Sequence, residues 1–169
     1  MDKLNFNFFE HLEKRVDKLI TEKDIIDFEN KYDFKLPKEY KDFLLSYNGG
    51  YLPYSIKLDE NYYDLENVYS NNTEVNRFYS LQETTGLLES DHVYCEDGIF
   101  SQNFIPNKLS PFATDHVGYY IFYIGVGENN LGKIYSYDHQ GDLCEPGEEL
   151  KYLCESFTDF VNGFQIIKD

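Results

Sequence analysis

Two Asp-His pairs, Asp115-His116 and Asp138-His139, are the residues of this chain best suited by type to acid-base or metal chemistry. Imidazole and carboxylate together hold zinc or relay a proton. Their spacing works against it, because neighbours on an extended backbone point to opposite faces and a pair cannot converge on one ion. Only a cross-strand arrangement, such as His116 with His139, would bring two such groups together. The alternative reading of both pairs is a turn-capping Asp beside a structural His. The chain contains no G-x-S-x-G, P-loop or G-x-G-x-x-G; Gly125-Val126-Gly127 lacks the third glycine and reads as hairpin punctuation. Cys144 lies between Asp142 and Glu145, whose charges disfavour a thiolate. No catalytic residue, metal site or cofactor is expected.

The elements that would position these groups divide the chain in two. Phe9, Leu12, Val16, Leu19 and Ile20 follow a helical period, predicting a first helix from about Phe8 to Leu19. Thr21 with Asp24 offers an N-cap to a second helix, whose apolar face is Ile25, Phe28 and Tyr32, with Glu29 on its flank. Leu36-Pro37 opens a third, with Pro37 at the first helical position, and Tyr40, Phe43, Leu44 and Tyr47 form its stripe. Asn48-Gly49-Gly50 closes it, since these residues accept a left-handed backbone.

After Gly50 the texture becomes strand and turn. Strands are predicted at Ser55 to Leu58, Glu74 to Ser80, Tyr119 to Gly125 and Lys133 to Tyr137, the last two joined as a hairpin through VGENNLG. A short helix is expected near Thr85 to Tyr94 and a last one from about Glu148 to Asn162. Helices flanking a run of strands, without βαβ alternation, make an α+β fold. Phe28, Tyr40, Phe43, Phe112, Tyr135 and Phe157 are assigned to the core, and Glu29 is expected to meet a backbone N–H or a Tyr hydroxyl.

The 169 residues fit a single domain, and a chain of this size buries a core without staples. Three cysteines, without C-x-x-C spacing, read as reduced thiols of the cytoplasm. The N-terminus has no leader pattern, and no apolar run approaches the roughly 18 residues that span a bilayer. Net charge is −16, of which residues 1–47 carry −2 and residues 48–169 carry −14. Such a field excludes direct binding to nucleic acid or an anionic membrane and speeds encounter with a basic partner; a solvated surface is the plainer reading. Tyrosines interleaved with acid make Asp59, Glu60, Tyr62, Tyr63, Asp64, Glu66, Tyr69, Glu96 and Asp97 the candidate partner-binding residues.

The stretch ITEKDIIDFENKYDFKLPKEYKDFLLSYNGG, followed downstream by LSPFATDHVGYYIFYI and GKIYSYDHQ, resembles the SUKH superfamily of bacterial toxin-immunity proteins and fungal Smi/Knr regulators. The resemblance runs from about residue 21 to 164. It is carried in order by Phe28-Glu29, Leu36-Pro37 with Tyr40, Asn48-Gly49-Gly50, and Phe78 to Leu81 on a strand. Pro111-Phe112-Ala113 with Asp115 and Gly118, Tyr135 with Asp138-His139, and a final helix with Phe157 and Phe160 complete it. Two departures stand out: residues 61–107 are longer and more acidic than expected, and His116-Val117 replaces small residues.

The resemblance implies helices packed on a curved, mostly antiparallel sheet. It also implies a cytoplasmic antidote, monomeric or weakly dimeric, that binds one cognate toxin, often a nuclease, without catalysis. An acidic inhibitor covering a basic nuclease groove would agree with the charge. Two rivals remain: a regulatory interaction scaffold like the fungal members, and a hydrolase or metal enzyme built on Asp115, His116, Asp138 and His139.

Overall fold

The computed structural model describes residues 9, 12–13, 18–58, 74–89, 93–95, 98–100, 108–116, 118, 120–138 and 150–166. Local chemistry sets the first two helices. In α1 (Glu22–Tyr32) the Thr21 hydroxyl accepts from the Asp24 N–H, and the Asp24 carboxylate accepts from the Thr21 N–H at 2.7 Å, a reciprocal capping box. Thr21→Ala should lower stability by about 1 kcal/mol, read as a shifted urea midpoint at constant slope; an unchanged midpoint would show that the cap contributes nothing.

Pro37 sits one residue ahead of α2 (Lys38–Tyr47), not at its first helical position. Its ψ of 146° is extended, and its carbonyl accepts the first helical bond, from the Lys41 N–H at 3.0 Å. At the other end Asn48 is left-handed, φ 50°, and its N–H donates to the Leu44 carbonyl.

Seven strands form one antiparallel sheet in the order β8-β7-β6-β5-β2-β1-β9. They are β1 (Gly50–Leu58), β2 (Glu74–Phe78), β5 (Leu109–Thr114), β6 (Tyr120–Gly125), β7 (Ile134–Asp138), β8 (Leu150–Cys154) and β9 (Phe164–Ile166). Between β2 and β5 the chain makes α3 (Leu81–Glu89) and a separate hairpin, β3 (Val93–Cys95) with β4 (Gly98–Phe100). The last helix, α4 (Phe157–Asn162), is capped by Ser156, whose hydroxyl accepts from the Asp159 N–H.

Several sequence expectations shift. β1 begins at Gly50 rather than Ser55, and Pro53, which cannot donate to a ladder, lies where the β1–β2 register breaks between Tyr51 and Ile56. β2 ends at Phe78, although the Tyr79 N–H still donates to the Phe112 carbonyl of β5 at 2.8 Å, and Leu81 opens α3, so Phe78 to Leu81 is not all strand. α3 starts four residues earlier than expected because Ser80 and Glu83 cap each other across its first turn. The expected helix from Glu148 to Asn162 is instead β8 followed by α4, as residues 150–154 pair with β7. Most of the expected first helix lies outside the described residues, but Glu13 forms an antiparallel bridge with Tyr51, which a helix through that point could not do. The VGENNLG hairpin is as expected: β6 and β7 pair antiparallel, and the Asn130 side chain accepts from the Gly127 N–H across the turn.

The core lies on the helical side of the sheet and is aromatic. Phe157 on α4 meets Tyr40, Phe43 and Phe112 with ring centroids 5.3, 5.4 and 5.8 Å away, and Phe160 meets Phe112 and Phe122. Phe28, Tyr40, Phe43, Phe112 and Phe157 are buried as expected; Tyr135 is not, standing half-buried on the opposite face of the sheet.

Candidate functional site

The Asp-His pairs separate. Asp115 is buried at the β5–β6 connection, where its Oδ1 accepts from the Gly118 N–H at 2.6 Å and Gly118 takes φ 82°. That carboxylate closes a turn, while His116 beside it is exposed. Asp138 ends β7 opposite Tyr120, whose carbonyl also accepts from the Asp115 N–H, so both Asp backbones flank one residue; His139 lies outside the described residues. Among the described residues no group of three or more His, Cys, Asp or Glu could hold a metal ion. Cys154 is a buried free thiol, its pKa pushed up to about 12 by burial.

The motif residues turn out to be joints of the scaffold. Glu29, 3% exposed, accepts from the Leu36 N–H at 2.8 Å as expected, and also from Lys41 at 2.9 Å and Lys35 at 3.0 Å. It clasps α1, the α1–α2 connection and α2 to one carboxylate. Leu36, Pro37 and Tyr40 are buried. Asn48 is fully buried, its Oδ1 accepting from the Leu81 N–H at 3.0 Å and its Nδ2 donating to Gln82, which ties the end of α2 to the start of α3. At Gly49, φ 82°, a Cβ would stand 2.5 Å from the Ser80 backbone nitrogen, so the glycine is required by close approach as well as by conformation. Pro111 offers its carbonyl to the Thr84 hydroxyl, and Phe112 fills the core.

The face of the sheet turned away from the helices is a different surface. Cross-strand partners share a face, and two rows result: Tyr51, Arg77, Thr114, Ile121, Tyr137 and Leu150 in one, Tyr123, Tyr135 and Tyr152 in the other. Phe122, Ile124 and Ile134 alternate with them toward the core. The Arg77 guanidinium lies over the Tyr51 and Tyr79 rings at 4.8 and 5.3 Å and pairs with Glu83. Tyr79 and Tyr123 are buried, and burial pushes both phenols above their ordinary pKa. Tyr135 packs edge-on against Tyr152 at 5.9 Å, and the Tyr152 hydroxyl donates to Glu155 at 2.5 Å. No sequence expectation assigned this face; Tyr135 and Tyr137, two apart on β7, were the available signal.

The strand order also places the connections. β1–β2, β5–β6 and β7–β8 all leave from one end of the sheet, whereas the β6–β7 turn is at the other. Two of them, residues 59–73 and 139–149, contain eight carboxylates and no Lys or Arg. The expected partner-binding residues Asp59, Glu60, Tyr62, Tyr63, Asp64, Glu66 and Tyr69 belong to the first; Glu96 and Asp97 belong to the β3–β4 connection. The positions of all nine lie outside the described residues. No described helix is long and apolar enough to cross a membrane.

A seven-stranded antiparallel sheet with helices on one face and tyrosines on the other is an α+β domain whose motif residues are spent on joints. The chain belongs to the SMI1 / KNR4 family (SUKH-1), matched over residues 19–163. Members of this family are often immunity proteins and are generally non-enzymatic protein-interaction domains. The chain is similar to the SPbeta prophage-derived uncharacterized protein YokK of Bacillus subtilis (strain 168), 30% identical over 149 residues, covering 83% of this chain and 72% of that protein.

Proposed function

We propose that the chain is an immunity protein that binds a cognate bacterial toxin in the cytoplasm and neutralises it by stoichiometric occlusion, with no catalytic step of its own. The toxin is a basic protein, and nuclease activity is the class that fits, because a groove built to hold phosphate charge is the surface an acidic inhibitor covers. The observation that carries this reading is the segregation of charge: eight carboxylates without a cation in two connections that leave the same end of the sheet. Asp59, Glu60, Tyr62, Tyr63, Asp64, Glu66 and Tyr69, with Glu96 and Asp97, are the residues proposed to meet the toxin.

Co-expression with the product of the adjacent reading frame tests the function. Rescued growth and a one-to-one complex are expected; persistent toxicity with no complex in a pull-down would end the proposal. Reversing Asp59, Glu60, Asp64 and Glu66 together to Lys should slow association by about 10- to 100-fold at low salt and flatten its salt dependence. An unchanged on-rate would remove this surface from the interface.

A further inference from the structure

A groove of about 740 Å³ opens between the last turn of α1 and the β6–β7 turn. Its walls are fixed before any ligand arrives. On the helical side Phe34 packs on Phe28 and Tyr32, with ring centroids 5.5 and 5.8 Å away. On the strand side the Asn130 side chain accepts from the Gly127 N–H at 2.9 Å, and the Asn130 carbonyl accepts from the Lys133 N–H at 3.0 Å. Lys108, just ahead of β5, ties the two sides together, since its Nζ donates to the Asp33 carbonyl at 2.7 Å. Asp33 and Lys108 both take positive φ, 52° and 45°, a backbone uncommon for residues other than glycine. Two such residues lining one groove mark it as a shaped site.

What the groove leaves unpaired decides its ligand. Its two lysines are engaged: Lys108 by the Asp33 carbonyl and, at 3.6 Å, the Asp33 carboxylate, and Lys35 by Glu29 at 3.0 Å. The side chains of Asn30, Glu128 and Asn129 make no hydrogen bond or ion pair, and the Asp33 carboxylate, fully exposed, has only its loose pair with Lys108. Glu29, 3% exposed, lines the groove with one oxygen still short of donors: Oε1 takes the Leu36 N–H and Lys41, while Oε2 takes only Lys35. These groups stand at the negative end of the α1 dipole. Leu131, 52% exposed, and half-buried Phe34 add apolar surface. An anion would meet three carboxylates whose lysines are already taken. A cation with several donors on an apolar stem fits instead, and a guanidinium carries five.

We propose that this groove binds an extended basic segment of a partner protein, an arginine reaching Asp33 and Glu128 while the apolar residue next to it covers Leu131 and Phe34. The Asn30 and Asn129 amides, each donor and acceptor, are left for the segment's backbone. The site goes beyond the toxin-binding reading and does not rest on it, since none of its residues belongs to the segments proposed to meet the toxin.

The test is an NMR titration of the isotope-labelled full chain with two capped peptides, acetyl-ALRLRA-amide and its acidic counterpart acetyl-ALELEA-amide. The basic peptide is expected to shift the amides of Asn30, Asp33, Gly127, Glu128 and Leu131 to saturation, and the acidic one to leave them in place. Neutralising both carboxylates, Asp33→Asn with Glu128→Gln, should weaken that binding about 10-fold at low salt. Leu131→Ala should weaken it about 5-fold through lost apolar contact, whereas Leu19→Ala, 50% exposed ahead of α1, should bind as the parent does. All four positions are exposed and Asn tolerates the left-handed backbone at position 33, so the rest of each spectrum reports an intact fold. If the basic peptide shifts no amides, or only amides outside the groove, the proposal falls. It falls equally if the acidic peptide binds as well as the basic one, or if the double variant binds as the parent does. None of these results bears on the toxin-binding reading, which co-expression decides.

Discussion

Phe157→Ala is expected to destabilise the protein by about 3–5 kcal/mol, the range for truncating a buried phenylalanine. Phe157 is 0% exposed and stands where α2 meets the sheet. Its ring meets Phe9 before α1, Tyr40 and Phe43 on α2, Phe78 on β2 and Phe112 on β5. The void cannot collapse easily, because its walls are rings held on paired strands and on a helix clasped at both ends. Domains of this size have about 5–15 kcal/mol to lose. Equilibrium urea unfolding should show a midpoint lowered by about a fifth or more with the slope preserved. A loss below about 1 kcal/mol would mean that the cluster repacks around the hole.

Where structure depends on neighbours in the chain, the sequence was a good guide. The Thr21–Asp24 box, the Tyr40-Phe43-Leu44-Tyr47 stripe and the Asn48 stop are each decided within a few residues, and each stands where expected. The C-terminal region failed for a physical reason. Leu150, Leu153 and Phe157 keep helical spacing, yet residues 150–154 complete a sheet that only the distant β7 reveals, and Ser156 then restarts the chain as a helix. Non-local pairing overrode local period.

The site divides in the same way. A turn-capping Asp was the alternative to chemistry that the sequence offered for Asp115, and its bond from the Gly118 N–H bears that out. The lysines on Glu29 were not legible, since Lys41 lies twelve residues on and reaches it only because two helices fold together. Tyr135 was misassigned because an aromatic ring in a strand points to either face, and its face follows from pairing with Tyr123 and Tyr152. The acidic, tyrosine-bearing segment 59–73 was chosen from composition, and strand order adds where it leaves and rejoins the sheet.

Glu29→Gln is expected to cost about 3 kcal/mol, the low end for breaking a buried ion pair, because both lysines reach water, with side chains 66% and 32% exposed. The amide has one acceptor where the carboxylate serves three donors, so at least one of Leu36 N–H, Lys35 and Lys41 loses its bond. Acid should do to the parent what the substitution does at neutral pH. Burial pushes the Glu29 pKa up, but the bonds from Lys41, the Leu36 N–H and Lys35 outweigh it and hold the folded value below the ordinary 4.5. A carboxyl depressed on folding contributes fully above its unfolded value and loses that contribution as pH falls through the folded one. Glu29's share of stability is therefore whole at neutral pH and declines below about pH 4.5. Measured by urea unfolding across that range, the parent should lose stability more steeply on acidification than Glu29→Gln, and the two curves should converge at the acid end. Parallel curves would show that the clasp is not what acid opens.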